Sequence, residues 1–174
     1  RLIINGRAKR VLILLPNSLV NQWFVELLRR FNRWFSIYDE ERCAAIEKAD
    51  TDGNPFEDDQ LILASIDWLS KSPKRMEQCV QASWDLLIVD EAHHLKWTAN
   101  RSSEKYDLVH RLGEKVKSIL LLTATPHQLG FDAHFARLHL LDANRFPDLG
   151  SFGKEMKKYT SVAKICKKLT SKSN

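Results

Sequence analysis

Asp85-Leu-Leu-Ile-Val-Asp-Glu-Ala-His-His94 is the stretch on which the fold turns. Four large apolar residues, Leu86 to Val89, lead directly into two adjacent acids, Asp90 and Glu91. A short unbroken apolar run reads as a strand buried on both faces, the condition of a strand inside a parallel sheet. Acids at its carboxyl end stand on the rim where α/β proteins bind ligands. There, one carboxylate can hold a divalent cation carried by a phosphate ligand, and its neighbour can orient an attacking water.

The same alternation recurs to either side. Val11–Leu15 is a strand candidate, followed by a helix in which Leu19, Trp23, Leu27 and Phe31 lie four apart on one stripe, with Asn17 or Ser18 as its cap. Phe35–Tyr38 is a shorter strand leading into an acidic stretch, and Asp50–Pro55 carries loop chemistry. Leu61–Ala64 is a third strand, residues 73–82 a helix, and residues 103–113 a polar helix. Ile119–Leu122 is a further buried strand, ending in the hydroxyls Thr123 and Thr125 before Pro126 stops the ladder. Strands alternating with helices predict an α/β fold, a parallel sheet flanked by helices with right-handed crossovers. Four polar loops then share one sheet edge: Pro16–Ser18, Ser65–Asp67, Asp90–His94 and Thr123–Pro126.

Composition narrows the class. The 174 residues suffice for one core, and no apolar run approaches the roughly 18 residues of a membrane span. Cys43, Cys79 and Cys166 form no Cys-x-x-Cys pair, so they read as reduced thiols rather than a zinc site. The net charge of +5 is unevenly spread. Residues 154–174 hold seven lysines against Glu155, leaving residues 1–153 at −1, while residues 39–59 carry nine acids against Arg42 and Lys48. The basic balance belongs to a tail in which Phe152, Met156, Tyr159 and Ala163 recur at helical spacing, so it reads as a solvated helix face. The five tryptophans read as packing residues, without an aromatic–basic cluster to make a stacking surface.

The motifs Pro16-Asn-Ser-Leu-Val-Asn-Gln-Trp23, Ala64-Ser-Ile-Asp67, Asp90-Glu-Ala-His-His94 and Thr123-Ala-Thr-Pro126 resemble, in order, motifs Ia, Ib, II and III of superfamily 2 helicases, in their Swi2/Snf2 branch. Asp90–His93 is then the Asp-Glu-Ala-His form of Walker B. Trp84–Leu95, Leu120–Pro126 and His134–Phe146 sharpen the likeness to those members of the family that associate with bacterial RNA polymerase. The resemblance implies a partial RecA-like ATP-binding lobe over residues 1–150, and a lysine-rich helix of the lobe or linker over residues 151–174. It further implies that Asp90 binds Mg²⁺, Glu91 polarises the hydrolytic water, and His93, Thr123 and Thr125 couple hydrolysis to movement. Asn17, Ser18 and Ser65 fall where the family touches nucleic-acid backbone. The implied partners are ATP, DNA (with RNA as the alternative) and RNA polymerase core, in the bacterial cytoplasm with no membrane involved. The competing readings are a non-catalytic interaction module and the motor lobe of a restriction or repair helicase.

One expected element is missing. A phosphate-cradling loop needs Gly-x-x-x-x-Gly-Lys-Ser/Thr, and the only Gly-Lys pair, Gly153-Lys154, has Asp148 and Glu155 where a glycine and a hydroxyl should stand. Arg1–Gly6 reads as a last helical turn closed by a glycine cap, as though the chain were excised from a longer one and inactive as an ATPase alone.

Overall fold

The computed structural model describes residues 2–50, 53–124 and 130–170, with side chains as far as residue 159. In chain order its strands are β1 (Val11–Leu15), β2 (Ser36–Tyr38), β3 (Leu61–Ser65), β4 (Leu86–Val89), β5 (Trp97–Thr98), β6 (Arg101–Ser102) and β7 (Ile119–Leu121). The helices are α1 (Val20–Phe31), α2 (Glu40–Ala49), α3 (Ile66–Leu69), α4 (Pro73–Gln81), α5 (Glu104–Gly113), α6 (Gly130–Leu141) and α7 (Leu149–Thr170). Five strands form one parallel sheet in the order β2-β3-β1-β4-β7, and β5 pairs with β6 as a separate antiparallel hairpin. All five residues of β1, the central strand, are buried, as an unbroken apolar run requires.

The two faces of the sheet are covered unequally. Side chains of α1 pack with Val11, Ile13, Leu15 and Leu63 on one face. On the other, Leu12, Leu14, Ile62, Leu87 and Val89 meet side chains from α2 to α6. The chain therefore leaves neighbouring strands β1 and β4 toward opposite faces. That divergence opens a crevice at their carboxyl ends, the usual ligand position in such sheets.

Several expectations need correction. Leu19, Trp23 and Leu27 are half-buried as the stripe predicts, but Phe31 is 66% exposed. Phe31 is the last residue of α1 and lies outside the cluster in which Trp23, Phe24 and Leu27 meet the sheet. Asn32, left-handed at φ 49°, then closes the helix by donating its N–H to Leu28. Neither Asn17 nor Ser18 caps α1 through its side chain. Both sit inside a 3₁₀ turn, Asn17–Leu19, that leads into the helix. Of β7, expected to be buried, Leu120 is 46% exposed. Its register against Ile88 puts it on the α1 face, where α1 packs over β1 and β3 instead. Helix α5 is less polar than expected, burying Tyr106, Leu108, Val109 and Leu112 on one side.

Helices α2, α3 and α6 and the β5–β6 hairpin were not expected at all. Helix α2 starts where Asp39 accepts the Arg42 N–H, and it buries only Cys43 fully. The buried guanidinium of Arg75 on α4 pairs with Glu40 at 2.5 Å and Glu47 at 2.7 Å, tying α2 to α4. In α7 only Phe152 of the expected stripe is buried, packed between Phe131, Phe135 and Phe146. Met156 is half-buried and Tyr159 exposed, and the Ala163 side chain lies outside those described. Gly6 does adopt the left-handed backbone of a cap, at φ 67°.

Candidate active site

The parallel register brings the four polar loops to one edge. Leu15 stands beside Ser65, Leu14 beside Val89, and Val89 beside Leu121, so the residues that follow are neighbours across strands about 4.8 Å apart. At the centre is Asp90, whose N–H donates to the Leu14 carbonyl at 3.0 Å and extends the ladder by one residue. Trp23 of α1 donates its indole N–H to Asp90 Oδ2 at 3.1 Å, and the Glu91 N–H donates to Oδ1 at 2.9 Å. Each carboxylate oxygen thus has one donor and keeps lone-pair capacity for a cation. Among the described residues no cluster of three or more His, Cys, Asp or Glu side chains could cage a metal. A single carboxylate of this kind suits Mg²⁺ that arrives with waters and phosphates of its own.

Glu91 turns the chain sharply, in the left-handed backbone region at φ 51° and ψ 44°. A non-glycine residue held there costs on the order of 1 kcal/mol, and such strain concentrates at functional sites. The turn holds because Ala92 N–H donates to the Leu122 carbonyl and Leu122 N–H to Val89, both at 2.8 Å. Thr123 therefore follows a residue pinned directly to the Asp-Glu-Ala-His turn. Thr125 lies outside the described residues. Glu91 Oε2 is 2.9 Å from His93 Nδ1. The contact is close but not aligned as a hydrogen bond, and neither atom has another partner or access to solvent. The His94 ring sits 4.1 Å from that of His93, and burial, with His93 and Lys105 nearby, lowers its pKa.

Asn17 and Ser18 are exposed beside this turn. Ser65 is 6% exposed, and its hydroxyl accepts the Trp68 N–H at 3.4 Å, so its side chain caps α3. Asp67, in the same loop, accepts the Asn17 N–H at 3.1 Å and pairs with Lys105 of α5. Lys105, and secondarily the Asn17 N–H, hold its carboxyl below the usual range. A groove of about 810 Å³ opens alongside, between the end of α3 and the β5–β6 hairpin. Lys71, Lys96, Arg101 and Lys105 line it against the single acid Glu104. Sequence reasoning missed Trp23 as a partner of Asp90, Asp67 as a link between loops, and this groove. Trp23 and Asp67 stood inside the quoted motifs, but nothing in their spacing separates a packing ring or cap residue from a second-layer contact. The groove depends on a hairpin with no apolar alternation.

A parallel sheet flanked by helices, with this turn at its carboxyl edge, is a RecA-like architecture, and the chain belongs to the SNF2-related domain family, whose model matches residues 3–172. Its sequence is 55% identical over 166 residues to the RNA polymerase-associated protein RapA of Actinobacillus pleuropneumoniae serotype 3 (strain JL03), and 53% identical over 162 residues to that of Vibrio cholerae serotype O1 (strain M66-2). Each likeness covers 92% of this chain but only 17% and 16% of the relatives, so the chain spans about a sixth of their length. In fold it is similar to the Sulfolobus solfataricus SWI2/SNF2 ATPase core solved in complex with dsDNA. That match has a TM-score of 0.68 at 20% identity and covers 88% of this chain and 29% of the other. A second structure, of the Sulfolobus solfataricus SWI2/SNF2 ATPase core domain, matches at a TM-score of 0.63 and 20% identity, covering 88% of this chain and 28% of the other.

Proposed function

We propose that this chain forms the Asp-Glu-Ala-His part of the first motor lobe of an ATP-dependent nucleic-acid translocase of the RapA kind. The observation that carries the reading is the Asp90–Glu91 pair: one carboxylate oriented by two N–H donors, the next held in a strained turn at the central crevice of the sheet. Asp90 takes the Mg²⁺ that accompanies ATP. The metal supplies charge neutralisation at the phosphates, and the chain's own residues hold and orient. Glu91 orients the hydrolytic water, with His93 Nδ1 2.9 Å from its Oε2. Thr123, next along the edge, and Thr125 serve coupling rather than chemistry, since neither carries a charge able to hold metal or activate water. Asn17 and Ser18, with the loop capped by Ser65, face nucleic-acid backbone, and the cationic groove beside them favours phosphate. DNA is the first choice of track, RNA the second. Association with RNA polymerase is carried over from the relatives' name; the core enzyme as the partner and the bacterial cytoplasm as the place rest on the family resemblance of the motifs.

The test is a chimaera in which this chain replaces the matching segment of the 55% identical relative. It should hydrolyse Mg-ATP with stimulation by DNA. Glu91→Gln should retain ATP binding and lose hydrolysis by orders of magnitude, whereas Asp90→Asn should also weaken Mg-ATP binding. Equal loss of nucleotide affinity in the two would contradict the assigned roles. A chimaera that folds but turns over no ATP would favour a non-catalytic module.

A further inference from the structure

Far from that edge, the end of α1 presents a surface the motor reading does not use. Residues 29–34, Arg-Arg-Phe-Asn-Arg-Trp, are exposed without interruption. Phe31 and Trp34 are 66% and 64% exposed, which is unusual for large rings in a chain with an adequate core. Trp34 is not loose. It meets Phe24 of α1 in a T-shaped contact, centroids 5.1 Å apart, so the ring is fixed with much of its surface bare. None of residues 27–34 is acidic. Arg30 pairs with Glu26 of its own helix, while Arg29 and Arg33 have no acidic partner among the described residues. Basic residues in a last helical turn suit the helix dipole, which accounts for Arg29 and Arg30. It does not account for Arg33, beyond the cap, or for two uncovered rings.

Contrary to the expectation that every tryptophan packs and no aromatic–basic cluster exists, exposed Trp34 and Phe31 stand beside unpaired arginines, and that combination matches one chemistry closely. A single-stranded nucleic acid offers bases to stack on the rings and phosphates to the guanidinium groups. A duplex keeps its bases stacked internally and has nothing to offer Phe31 or Trp34. We infer that the exposed end of α1, through Phe31, Trp34, Arg29 and Arg33, is a binding platform for single-stranded DNA or RNA, separate from the carboxyl edge of the sheet. This goes beyond the proposed translocase and does not depend on it.

The probe is fluorescein-labelled dT20, with rU20 to separate DNA from RNA, and affinity for the 174-residue chain is read by anisotropy. Phe31→Ala and Trp34→Ala should each weaken binding about ten-fold, within the range of base–aromatic stacking, and Trp34→Phe should restore most of the loss. Arg29→Ala with Arg33→Ala should flatten the dependence of log affinity on log salt by about 1.4, two phosphates' worth for a single strand. Because these side chains are exposed, the melting temperature should stay near that of the wild type. Lys48→Ala, which removes an exposed cation on α2 away from both surfaces, should leave dT20 affinity unchanged. Absence of dT20 and rU20 binding by the wild type overturns the inference. So does binding that is insensitive to the ring variants, or equal ring-dependent capture of a polyglutamate peptide, which would make the patch a protein-docking surface.

Discussion

Replacing Trp23 by phenylalanine keeps an aromatic ring on α1 and deletes the indole N–H that reaches Asp90 Oδ2 at 3.1 Å. A hydrogen bond to a charged group contributes about 1.5–3 kcal/mol, and partial exposure of both groups favours the lower end. A loss of about 1.5 kcal/mol on a chain of this length corresponds to a melting shift of about 3–6 °C. The smaller ring also loses packing, so the single variant alone is ambiguous. A double-mutant cycle with Asp90→Ala separates the terms, because the packing loss and the broken Glu91 N–H contact appear on both sides and cancel. Urea unfolding of the four proteins, followed by circular dichroism, should give a coupling of about 1 kcal/mol or more. A coupling within about 0.3 kcal/mol of zero would refute the claim that Trp23 orients the Asp90 carboxylate.

Glu91→Val should cost about 1–2 kcal/mol, because a branched side chain fits the left-handed turn poorly, whereas Glu91→Gly should unfold no earlier than the wild type; thermal melts of both decide it. Arg75, with Gln78 and Lys74, holds the Glu47 carboxyl at about 2 and, acting on Glu40, lowers that group too. Both folded-state values lie below the ordinary 4.5, so their stabilisation is complete above that pH and fades as the pH falls toward 2. Melting temperatures at pH 6, 4 and 3 should decline accordingly, and Arg75→Met should flatten the decline. The chain alone should unfold cooperatively yet release no phosphate from Mg-ATP with DNA above background, because no phosphate-cradling loop is present in its sequence. Turnover that disappears in Glu91→Gln would contradict this.

What was legible in the sequence was whatever a central strand imposes. Val11–Leu15 is buried throughout and Leu86–Val89 at every residue but the half-buried Ile88, so both runs must be apolar, and both strands were bounded correctly from that rule alone. The shared edge followed, because parallel strands put all their carboxyl ends on one side. Legibility failed where burial is partial. Helix α2 sinks one cysteine and leans on the Arg75 ion pairs, so it leaves no apolar stripe to read. Phe31 had the right spacing for a core stripe, but spacing cannot tell where along a helix its contact with the sheet ends. At the site, Asp90 and Glu91 announce themselves by position after a buried strand. Trp23 reaches Asp90, and Asp67 reaches Asn17 in the neighbouring loop, through hydrogen bonds across 67 and 50 residues of chain, and local pattern carries no such information.

The bare flank of β7 has a consequence for handling the protein. Leu120 is half in water, and among the described residues no strand lies on the far side of β7, so that flank is an open row of backbone donors and acceptors. Such a row recruits any strand that reaches it, including the same flank of a second molecule. Aggregation should therefore rise steeply with concentration and salt, and a lysine at position 120 should suppress it while leaving the interior untouched.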